Sequence, residues 1–451
     1  MSQKNIIFLI KALVAIIVMI LLMFLYNRIL NLEGYAKEQE NKIEEVFSDV
    51  ENNLAVLELY TIYGNHLNIN GYLLKDYLEN ITINNMSLIL KEDDGQVIEY
   101  PLEYTQQEEK YEFTLSENIN EGVDLNSIAQ GNYYVFLKVN GTAEENNVEK
   151  YFSLDNISMY SSNEYYTLTK NNTNNKIDIL FNSYLKDDEY SLDYMEITSV
   201  TCSLPEDVVD IVIDPGHGGY DGGAVYEDYE EAEFTLEYSM ALKEKLESYG
   251  FKVALTREED VYTESYGQNG RAVIPNAKKA KLVLSIHLNS TATLPVEGGV
   301  EIYAPNKANL DFAKSFANNI VNYANTKYSV NGQNRVENGV YVWTYSEQDI
   351  EDAREYAQYM GYEMYENLTT QTPYLFMIRE TGGIMTKAYV DGRNTSIGNN
   401  PYYNSNITAE AYLLELGFIN SQADVNNLIN NKEAYINAIA DAIVSNYSGL
   451  K

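Results

Sequence analysis

The chain has 451 residues, of which 45% are hydrophobic, and this length exceeds that of one ordinary domain. Its formal net charge of −36 excludes a nucleic-acid binder that works through a basic face, because phosphate contacts need clustered lysine and arginine. The single cysteine, Cys202, excludes an intrachain disulfide. Histidine-dependent chemistry has only His66, His217 and His287 to use.

The start of the chain differs in charge from the rest. Residues 1–30 carry a net charge of +3, whereas residues 31–200 carry −22 and residues 201–451 carry −17. Residues 6–26 are apolar apart from Lys11, and a helix of this length can cross a bilayer core of about 30 Å. The charge pattern predicts a single-pass membrane anchor, with a cytoplasmic N-terminus and an extracytoplasmic remainder. A cleaved signal peptide is the alternative, although no small-residue cleavage site follows the apolar run.

Two kinds of pattern follow the anchor. Residues 31–56 have apolar side chains at helical spacing, which predicts a short helical stalk. In residues 57–200, short runs rich in tyrosine and β-branched residues alternate with turn-forming residues. This predicts an all-β, sandwich-like domain, with an immunoglobulin-like fold as one option. We favour a spacer role for it over glycan binding, because tyrosine is ordinary on strands, and we interpret His66 as a surface or satisfied histidine.

Residues 207–451 have a different organisation, because predicted strands and helices alternate along them. Such alternation is typical of a mostly parallel sheet flanked by helices. The predicted fold class is therefore α/β for this C-terminal part, preceded by the all-β domain and the membrane helix. Its predicted strands are residues 208–213, 252–255, 282–286, 300–303 and 411–415, and its predicted helices are residues 234–249, 271–280, 309–325 and 434–447.

Three polar residues lie at the ends of these predicted strands. His217 and His287 each follow a strand, and Glu415 ends another. Parallel sheets place their functional groups at the carboxyl ends of strands. Neutral imidazole is a good zinc ligand, and a catalytic zinc usually has three protein ligands. The pattern favours a metal site over loop histidines with local hydrogen bonds, and residues 227–233 offer several carboxylates as the third ligand.

The glycines around His217 raise the question of a nucleotide site. In Gly216-His217-Gly218-Gly219-Tyr220-Asp221, the sixth position of the dinucleotide fingerprint is aspartate instead of glycine or alanine. A Gly-Lys-Ser/Thr sequence is also missing from the chain. We therefore interpret the glycines as allowing a tight backbone turn beside a metal.

Seven motifs in the C-terminal part occur in the order known from one enzyme family. They are IVIDPGHGGYDGGA at 211–224, EAEFTL at 231–236, GFKVALTR at 250–257, RAVIPN at 271–276, LVLSIHLNS at 282–290, GGVEIY at 298–303 and LLELGFIN at 413–420. On these motifs, residues 208–450 resemble the zinc-dependent N-acetylmuramoyl-L-alanine amidases of the bacterial cell wall, in the branch with an α/β catalytic domain. The resemblance covers over half the chain.

The resemblance implies a set of site residues. The two zinc-binding histidines of the family fall on His217 and His287, and its catalytic glutamate falls on Glu415. The glutamate ligand opens a helix five residues before a buried leucine, and counting back from Leu236 gives Glu231. Other nearby acids compete for that role: Glu227, Glu230 and Glu233. The expected substrate-binding residues are Asn289, in the motif of His287, and Arg379, the nearest match to an arginine-containing segment of the family.

The resemblance also implies a reaction. Zinc would activate a water molecule and polarise the substrate carbonyl, and Glu415 would move the proton. The bond would be the amide between N-acetylmuramic acid and L-alanine of peptidoglycan. Asp214 is expected either to support a histidine or to cap a turn, and Arg257 and Arg271 are expected to form structural ion pairs.

One departure from the family is the long segment between His287 and Glu415, which places insertions at about residues 327–410. An enlarged loop there would serve as a lid, as a recognition element for stem peptides or as an autoinhibitory cover. The predicted partners are peptidoglycan and, through the N-terminal helix, the lipid bilayer. Two other functions remain as alternatives: an inactive wall-binding or scaffolding protein, and a zinc deacetylase of wall glycan.

Overall fold

A computed structural model describes residues 46–92, 95–156, 164–168, 173–186, 190–265, 269–292, 297–361, 368–381, 402 and 405–447. The predicted membrane anchor, residues 1–30, and the first part of the predicted stalk lie outside these residues. Within the described ranges, no helix is both long enough and apolar enough to span a membrane.

The first half of the described chain is built from strands. They are β1 (Val50–Tyr63), β2 (His66–Leu74), β3 (Thr82–Glu92), β4 (Val97–Gln106), β5 (Lys110–Thr114), β6 (Val123–Asp124), β7 (Gly131–Ala143), β8 (Asn146–Asn156), β9 (Glu164–Tyr166), β10 (Asn174–Lys186) and β11 (Tyr190–Cys202). Two short 3-10 helices, Lys75–Leu78 and Leu125–Ser127, join some of them. Alternate residues of β2 are buried, as expected for a strand with one face on a core.

Seven of these strands close into a barrel. The ring runs β1–β2–β5–β4–β3–β7–β8 and returns to β1. All neighbours in it are antiparallel except β8 and β1, which are parallel. β6 pairs with β2, and β11, β10 and β9 extend the sheet outward from β7. Closure leaves these seven strands with few free edges.

The described end of the predicted stalk belongs to the barrel domain. Residues 50–56 lie in β1, and the preceding Phe47 is fully buried. Its ring packs edge-on against Tyr134 and Phe136 and is tilted against Tyr194. A helical stalk through residue 56 is therefore wrong for this stretch, because its apolar side chains are part of a strand-based core.

The second half of the described chain mixes strands and helices. Its strands are β12 (Ile211–Pro215), β13 (Val225–Tyr226), β14 (Tyr229–Glu230), β15 (Val253–Leu255), β16 (Leu282–Asn289), β17 (Glu301–Tyr303), β18 (Arg335–Glu337), β19 (Val340–Tyr341), β20 (Ile407–Thr408) and β21 (Glu410–Phe418). Its helices are α1 (Glu231–Ser248), α2 (Ile274–Ala277), α3 (Asp311–Tyr323), α4 (Glu347–Met360), α5 (Phe376–Thr381) and α6 (Gln422–Asn446).

The central sheet of this C-terminal domain has the order β15–β12–β16–β21–β17–β19–β18. The first four strands are parallel to one another, whereas β17 is antiparallel to β21. One face carries the main core, to which α1, α3 and α6 contribute. The other face is covered in part by α5, whose Met377 and Ile378 are buried against side chains of β16, β17 and β21.

The fold class predicted from the sequence, α/β with a preceding sandwich-like domain, is wrong for the described residues, and the predicted membrane helix lies outside them. Strands make up 42% and helices 25% of the described residues, so this part of the chain contains more strand than helix. The N-terminal domain contains a closed seven-stranded barrel in place of a sandwich. Alternating burial looks the same along the strands of a sandwich and of a small barrel, so this pattern could not reveal the closure.

The two domains share hydrogen bonds and a strand. β20 of the C-terminal domain pairs with the end of β1, at Ile62 with Ile407 and Tyr63 with Thr408. The amide of Ala411, in β21, donates to the Tyr63 hydroxyl at 3.1 Å. The barrel sheet therefore continues directly into the strand that precedes β21.

Candidate active site

Neighbouring strands bring the predicted site residues to one edge of the central sheet. His217 follows the last residue of β12 by two positions, and His287 lies near the end of β16. Glu415 of β21 is the register partner of His287 on one side and of Glu301 in β17 on the other. Directly opposite residues in a sheet point to the same face, so His287, Glu415 and Glu301 form one row.

Glu231, the first residue of α1, lies between the two histidines. Its Oε2 is 3.2 Å from Nε2 of His217, and its Oε1 is 2.9 Å from Nδ1 of His287. One ligand atom from each of the three residues lies within 4.8 Å of the others. The three side chains thus converge tightly enough to share one metal ion.

The loop before α1 fixes the position of the Glu231 side chain. The amides of Glu231 and Ala232, which have no partner inside the helix, donate to the carbonyls of Ala224 and Gly222. The carboxylate accepts from the amide of Ala224 at 2.9 Å and from that of Leu288 at 3.0 Å. The first two amides of the helix therefore have partners, and its first side chain points at both histidines.

Two glycines leave room for this cluster. A Cβ atom on Gly216 would come within 2.4 Å of the His287 ring. A Cβ atom on Gly223 would lie 2.6 Å from His217 and 2.7 Å from Glu231, and the positive φ of +71° at Gly223 also favours glycine. The glycine-rich motif thus serves the close approach of backbone to the three side chains.

His217 is held in an uncommon backbone conformation, with φ of +58°. Its Nδ1 is 3.0 Å from Oδ1 of Asp221, which leaves Nε2 directed at Glu231. Burial alone would lower the pKa of His217, but hydrogen bonds and charge from Glu231 and Asp221 outweigh it and raise the pKa. Conversely, burial would raise the pKa of Glu231, yet the two histidines hold it well below its usual range.

Glu415 has a different environment from the three clustered residues. Its Oε2 is buried and has no hydrogen-bond partner among the described residues. Burial, together with the charges of Glu231 and Glu301, raises the pKa of Glu415 well above its ordinary value. A carboxylate with raised proton affinity and an unpartnered oxygen is suited to accept and release a proton.

A buried set of hydrogen bonds supports the loop that carries His217. Asp214 is fully buried and accepts from the hydroxyls of Thr256 at 2.6 Å and Ser285 at 2.7 Å. Arg271 forms an ion pair with Asp214 at 3.3 Å and donates to the carbonyl of His217 at 2.9 Å. These contacts link the end of β12 to β16 and to the loop after β15.

A model of one protein family matches residues 211–445, which contain the cluster and Glu415. That family is described as N-acetylmuramoyl-L-alanine amidase. The chain belongs to this amidase family.

Curated relatives of the amidase domain match over shorter stretches. The germination-specific N-acetylmuramoyl-L-alanine amidase of Bacillus subtilis is 35% identical over 112 residues, covering 22% of this chain and 47% of the relative. An endolysin of Bacillus phage SPP1 is 38% identical over 92 residues, covering 20% of this chain and 32% of the relative. The chain thus spans less than half the length of these curated relatives.

Solved amidase structures also match. N-acetylmuramoyl-L-alanine amidase AmiC2 of Nostoc punctiforme is 20% identical, with a TM-score of 0.35, over 53% of this chain and 97% of that one. An N-acetylmuramoyl-L-alanine amidase from Clostridium difficile 630 is 19% identical, with a TM-score of 0.35, over 54% of this chain and 98% of that one.

The structure brings four of the six predicted site residues of the amidase domain together, namely His217, Glu231, His287 and Glu415. Asn289 lies near them, but its side-chain amide donates to Glu301 at 2.8 Å, and its carbonyl oxygen accepts from the amide of Ser290. Its contacts therefore orient Glu301, and its predicted role toward substrate stays a prediction.

Arg379 does not fit the substrate-binding role predicted for it. Its side chain is only 2% exposed, and Nη1 donates to the carbonyls of Pro373 and Tyr374. The guanidinium also lies over the ring of Tyr345. A buried guanidinium with these local partners stabilises the segment before α5 and offers little surface to a ligand.

Two residues of the site were missed at the sequence level. Asp221 contacts His217 from four positions further along the glycine-rich motif. Asp214, expected from the sequence either to support a histidine or to cap a turn, instead contacts Thr256, Ser285 and Arg271. Glu301 lies in the GGVEIY motif, but only the pairing of β17 with β21 places it beside Glu415. Arg271 forms the expected ion pair, whereas the hydrogen bonds of Arg257 go mainly to the carbonyls of Pro215, Gly216 and Ala232.

Proposed function

We propose that this chain is a zinc-dependent amidase that hydrolyses the bond between N-acetylmuramic acid and L-alanine in peptidoglycan. Membership of the amidase family supports the reaction class. The observation that carries the proposal is the convergence of His217, Glu231 and His287 beside the unpartnered carboxylate of Glu415. An inactive member would not need to retain all four groups in this arrangement.

The donor set fits zinc. Two imidazole nitrogens and one carboxylate oxygen are a common ligand set of catalytic zinc sites, and the fourth position of such a site is left for water or substrate. The glycines at 216 and 223 leave the space that larger side chains would fill. Asp221 on Nδ1 of His217 orients the imidazole so that Nε2 faces the other ligands.

The chain's own residues would divide the work of hydrolysis. Zinc, when bound, supplies a Lewis acid for the amide carbonyl and acidifies a water molecule. Glu415 accepts the proton of the attacking water at Oε2 and passes it to the departing amine of L-alanine. Glu301, held by the hydroxyls of Ser329 and Tyr303 and the amide of Asn289, lies beside Glu415 and helps to raise the proton affinity of its carboxylate.

Product analysis of the purified full chain tests this function. Incubation with purified peptidoglycan and zinc should release stem peptides with a free L-alanine amino terminus and leave glycan strands with free lactyl carboxyl groups. Mass spectrometry of both fractions measures this. Zinc-loaded protein that releases acetate and no stem peptide would instead establish a deacetylase, and protein that releases neither would contradict an active hydrolase.

We further propose that the reaction takes place outside the cytoplasm, at the cell wall, because peptidoglycan is located there. The uneven charge of the chain agrees with export of the acidic part. A protease added to intact cells without an outer membrane should digest the folded domains, whereas complete protection would place them in the cytoplasm.

A further inference from the structure

Two tyrosines, one on the loop of His217 and one on the loop that contacts it, form an exposed stack. The rings of Tyr220 and Tyr262 have centroids 4.3 Å apart and planes inclined by 24°. Tyr220 is 82% exposed and Tyr262 is 41% exposed. Other exposed apolar side chains in the same two loops are Val225, Tyr226 and Val261. Grouped exposed apolar side chains commonly mark a binding surface, because contact with water is unfavourable for them.

The tyrosine stack is attached firmly to the metal-binding loop. The amide of Gly219 donates to Asp260 at 2.8 Å, which joins the loop of His217 to the loop after β15. A Cβ atom on Gly218 would meet the carbonyl of Val261 at 2.5 Å, so the two backbones are in close contact. Tyr220 is three residues from His217, so their Cα atoms are at most about 11 Å apart.

The surroundings of the stack favour a neutral ligand. Exposed acidic side chains lie in the same loops, among them Glu227, Asp228, Glu258, Glu259 and Asp260. They would repel anionic wall polymers and anionic lipid headgroups. A pyranose ring is uncharged and presents a face of C–H groups, which packs well against an aromatic ring, while its hydroxyls can bond to nearby carboxylates.

We propose that the Tyr220–Tyr262 stack is a sugar-binding subsite that holds a ring of the peptidoglycan glycan strand next to the scissile amide. This inference rests on the proposed function for the identity of the strand. Because Tyr220 is only three residues from His217, a subsite one or two sugar residues from the cluster is within reach. Tyr220 and Tyr262 are positioning residues here, since they would hold the strand and take no part in the proton transfers.

Binding of peptide-free glycan strands separates this inference from the proposed function. The probe is a set of short glycan strands stripped of stem peptides, with their lactyl carboxyl groups converted to amides so that the strands are uncharged, titrated into the zinc-loaded full chain by calorimetry. Tyr220→Ala should weaken binding about three- to tenfold, in keeping with the modest energies of aromatic contacts. Tyr220→Trp should keep the affinity, because it keeps the aromatic face. Tyr359→Ala is the matched control, since Tyr359 is 85% exposed on α4.

Steady-state kinetics gives a second measurement. With glycan strands that still carry stem peptides, Tyr220→Ala should raise KM about three- to tenfold and leave kcat nearly unchanged. With a single N-acetylmuramoyl peptide, which has no neighbouring sugar, the same variant should behave like the unaltered protein. If Tyr220→Ala and the unaltered protein bind the glycan strands with equal affinity, the proposed subsite is wrong, even if the chain cleaves the amide. Glycan binding that is lost in Tyr220→Ala would support it even if the amide is not cleaved.

Discussion

At the scale of single residues, the site depends on one histidine held in an unfavourable backbone conformation. His217 has a positive φ, which costs free energy for a residue with a side chain, and it persists because its surroundings fix it. Asp221 holds Nδ1, Arg271 donates to its carbonyl, and Glu231 faces Nε2. Three contacts on three different atoms therefore direct one nitrogen toward the proposed metal.

The contact of Asp221 with His217 leads to a first prediction. Asp221→Ala should lower zinc affinity about 10- to 100-fold, because loss of a hydrogen-bonded partner frees the imidazole to rotate. Competition with a chromogenic chelator measures this affinity. Asp228→Ala is a suitable control, since that residue is exposed on the turn between β13 and β14. Equal losses in both variants would mean that only the overall negative charge matters.

The pKa of His217 leads to a second prediction. Glu231 and Asp221 raise this pKa, so the imidazole keeps its proton to a higher pH than an ordinary histidine does. A metal binds only the neutral imidazole, so protons compete with zinc below the raised pKa and not above it. Apparent zinc affinity should rise with pH through a value above about 6.5, the ordinary histidine pKa, and then level off. If zinc affinity has already stopped rising below about pH 6.5, the pKa of His217 is not raised.

Glu415 allows binding to be separated from turnover. Glu415→Gln keeps the shape of the side chain but cannot accept a proton, so turnover should fall about 10²- to 10⁴-fold. Zinc content by elemental analysis should stay unchanged, because Glu415 is not one of the three clustered residues. Activity close to that of the unaltered protein would rule out Glu415 as the proton acceptor.

At the scale of elements, the ends of β12 and β16 are joined by the buried Asp214. This carboxylate holds side chains from three segments of the domain, and its charge is balanced by Arg271. Removal of the arginine would leave a charge in the core with too few partners, which is more costly than loss of a surface contact.

Arg271→Leu should therefore lower the free energy of unfolding by roughly 3–5 kcal/mol. Urea unfolding followed by circular dichroism measures the change. Arg354→Leu provides the comparison, because Arg354 pairs with Glu351 on the surface, where both side chains are about half exposed. That variant should lose less than about 1 kcal/mol. Similar small losses in both variants would show that the buried pair contributes little.

The sequence predicts single strands and helices better than it predicts which strands pair. The sequence predicts the strand Leu282–Asn289 over residues 282–286, from a short apolar run, and the helix Glu231–Ser248 over residues 234–249, from spaced apolar side chains. The pairing of β8 with β1, which closes the barrel, joins residues about a hundred positions apart, and no local pattern reports it. The family motifs identify His217 and Glu415 because each lies within one short stretch of sequence. The position of Glu301 beside Glu415 depends on which strands are neighbours, and a local motif does not report that.

At the scale of the whole molecule, the barrel contributes to the structure of the C-terminal domain. Leu168 packs within the main core of that domain. Asn120 donates to the carbonyl of Asn309 and to Glu410, which is 1% exposed at the start of β21. The site residue Glu415 lies five positions further along the same strand. The barrel is therefore more than a spacer, because it helps to hold the strand that carries the proposed proton acceptor.

A fragment of residues 207–451 should accordingly be less stable than residues 46–451. Without the barrel, β20 loses its partner strand, and Glu410 loses the amide of Asn120 and is exposed to solvent. Each lost hydrogen bond costs about 0.5–1.5 kcal/mol, and each kcal/mol lowers the midpoint of a domain of this size by about 2–4 °C. Thermal unfolding of the two fragments at equal zinc concentration, followed by circular dichroism, measures their midpoints. Equal midpoints would mean that the two domains fold independently and that the shared strand contributes no stability.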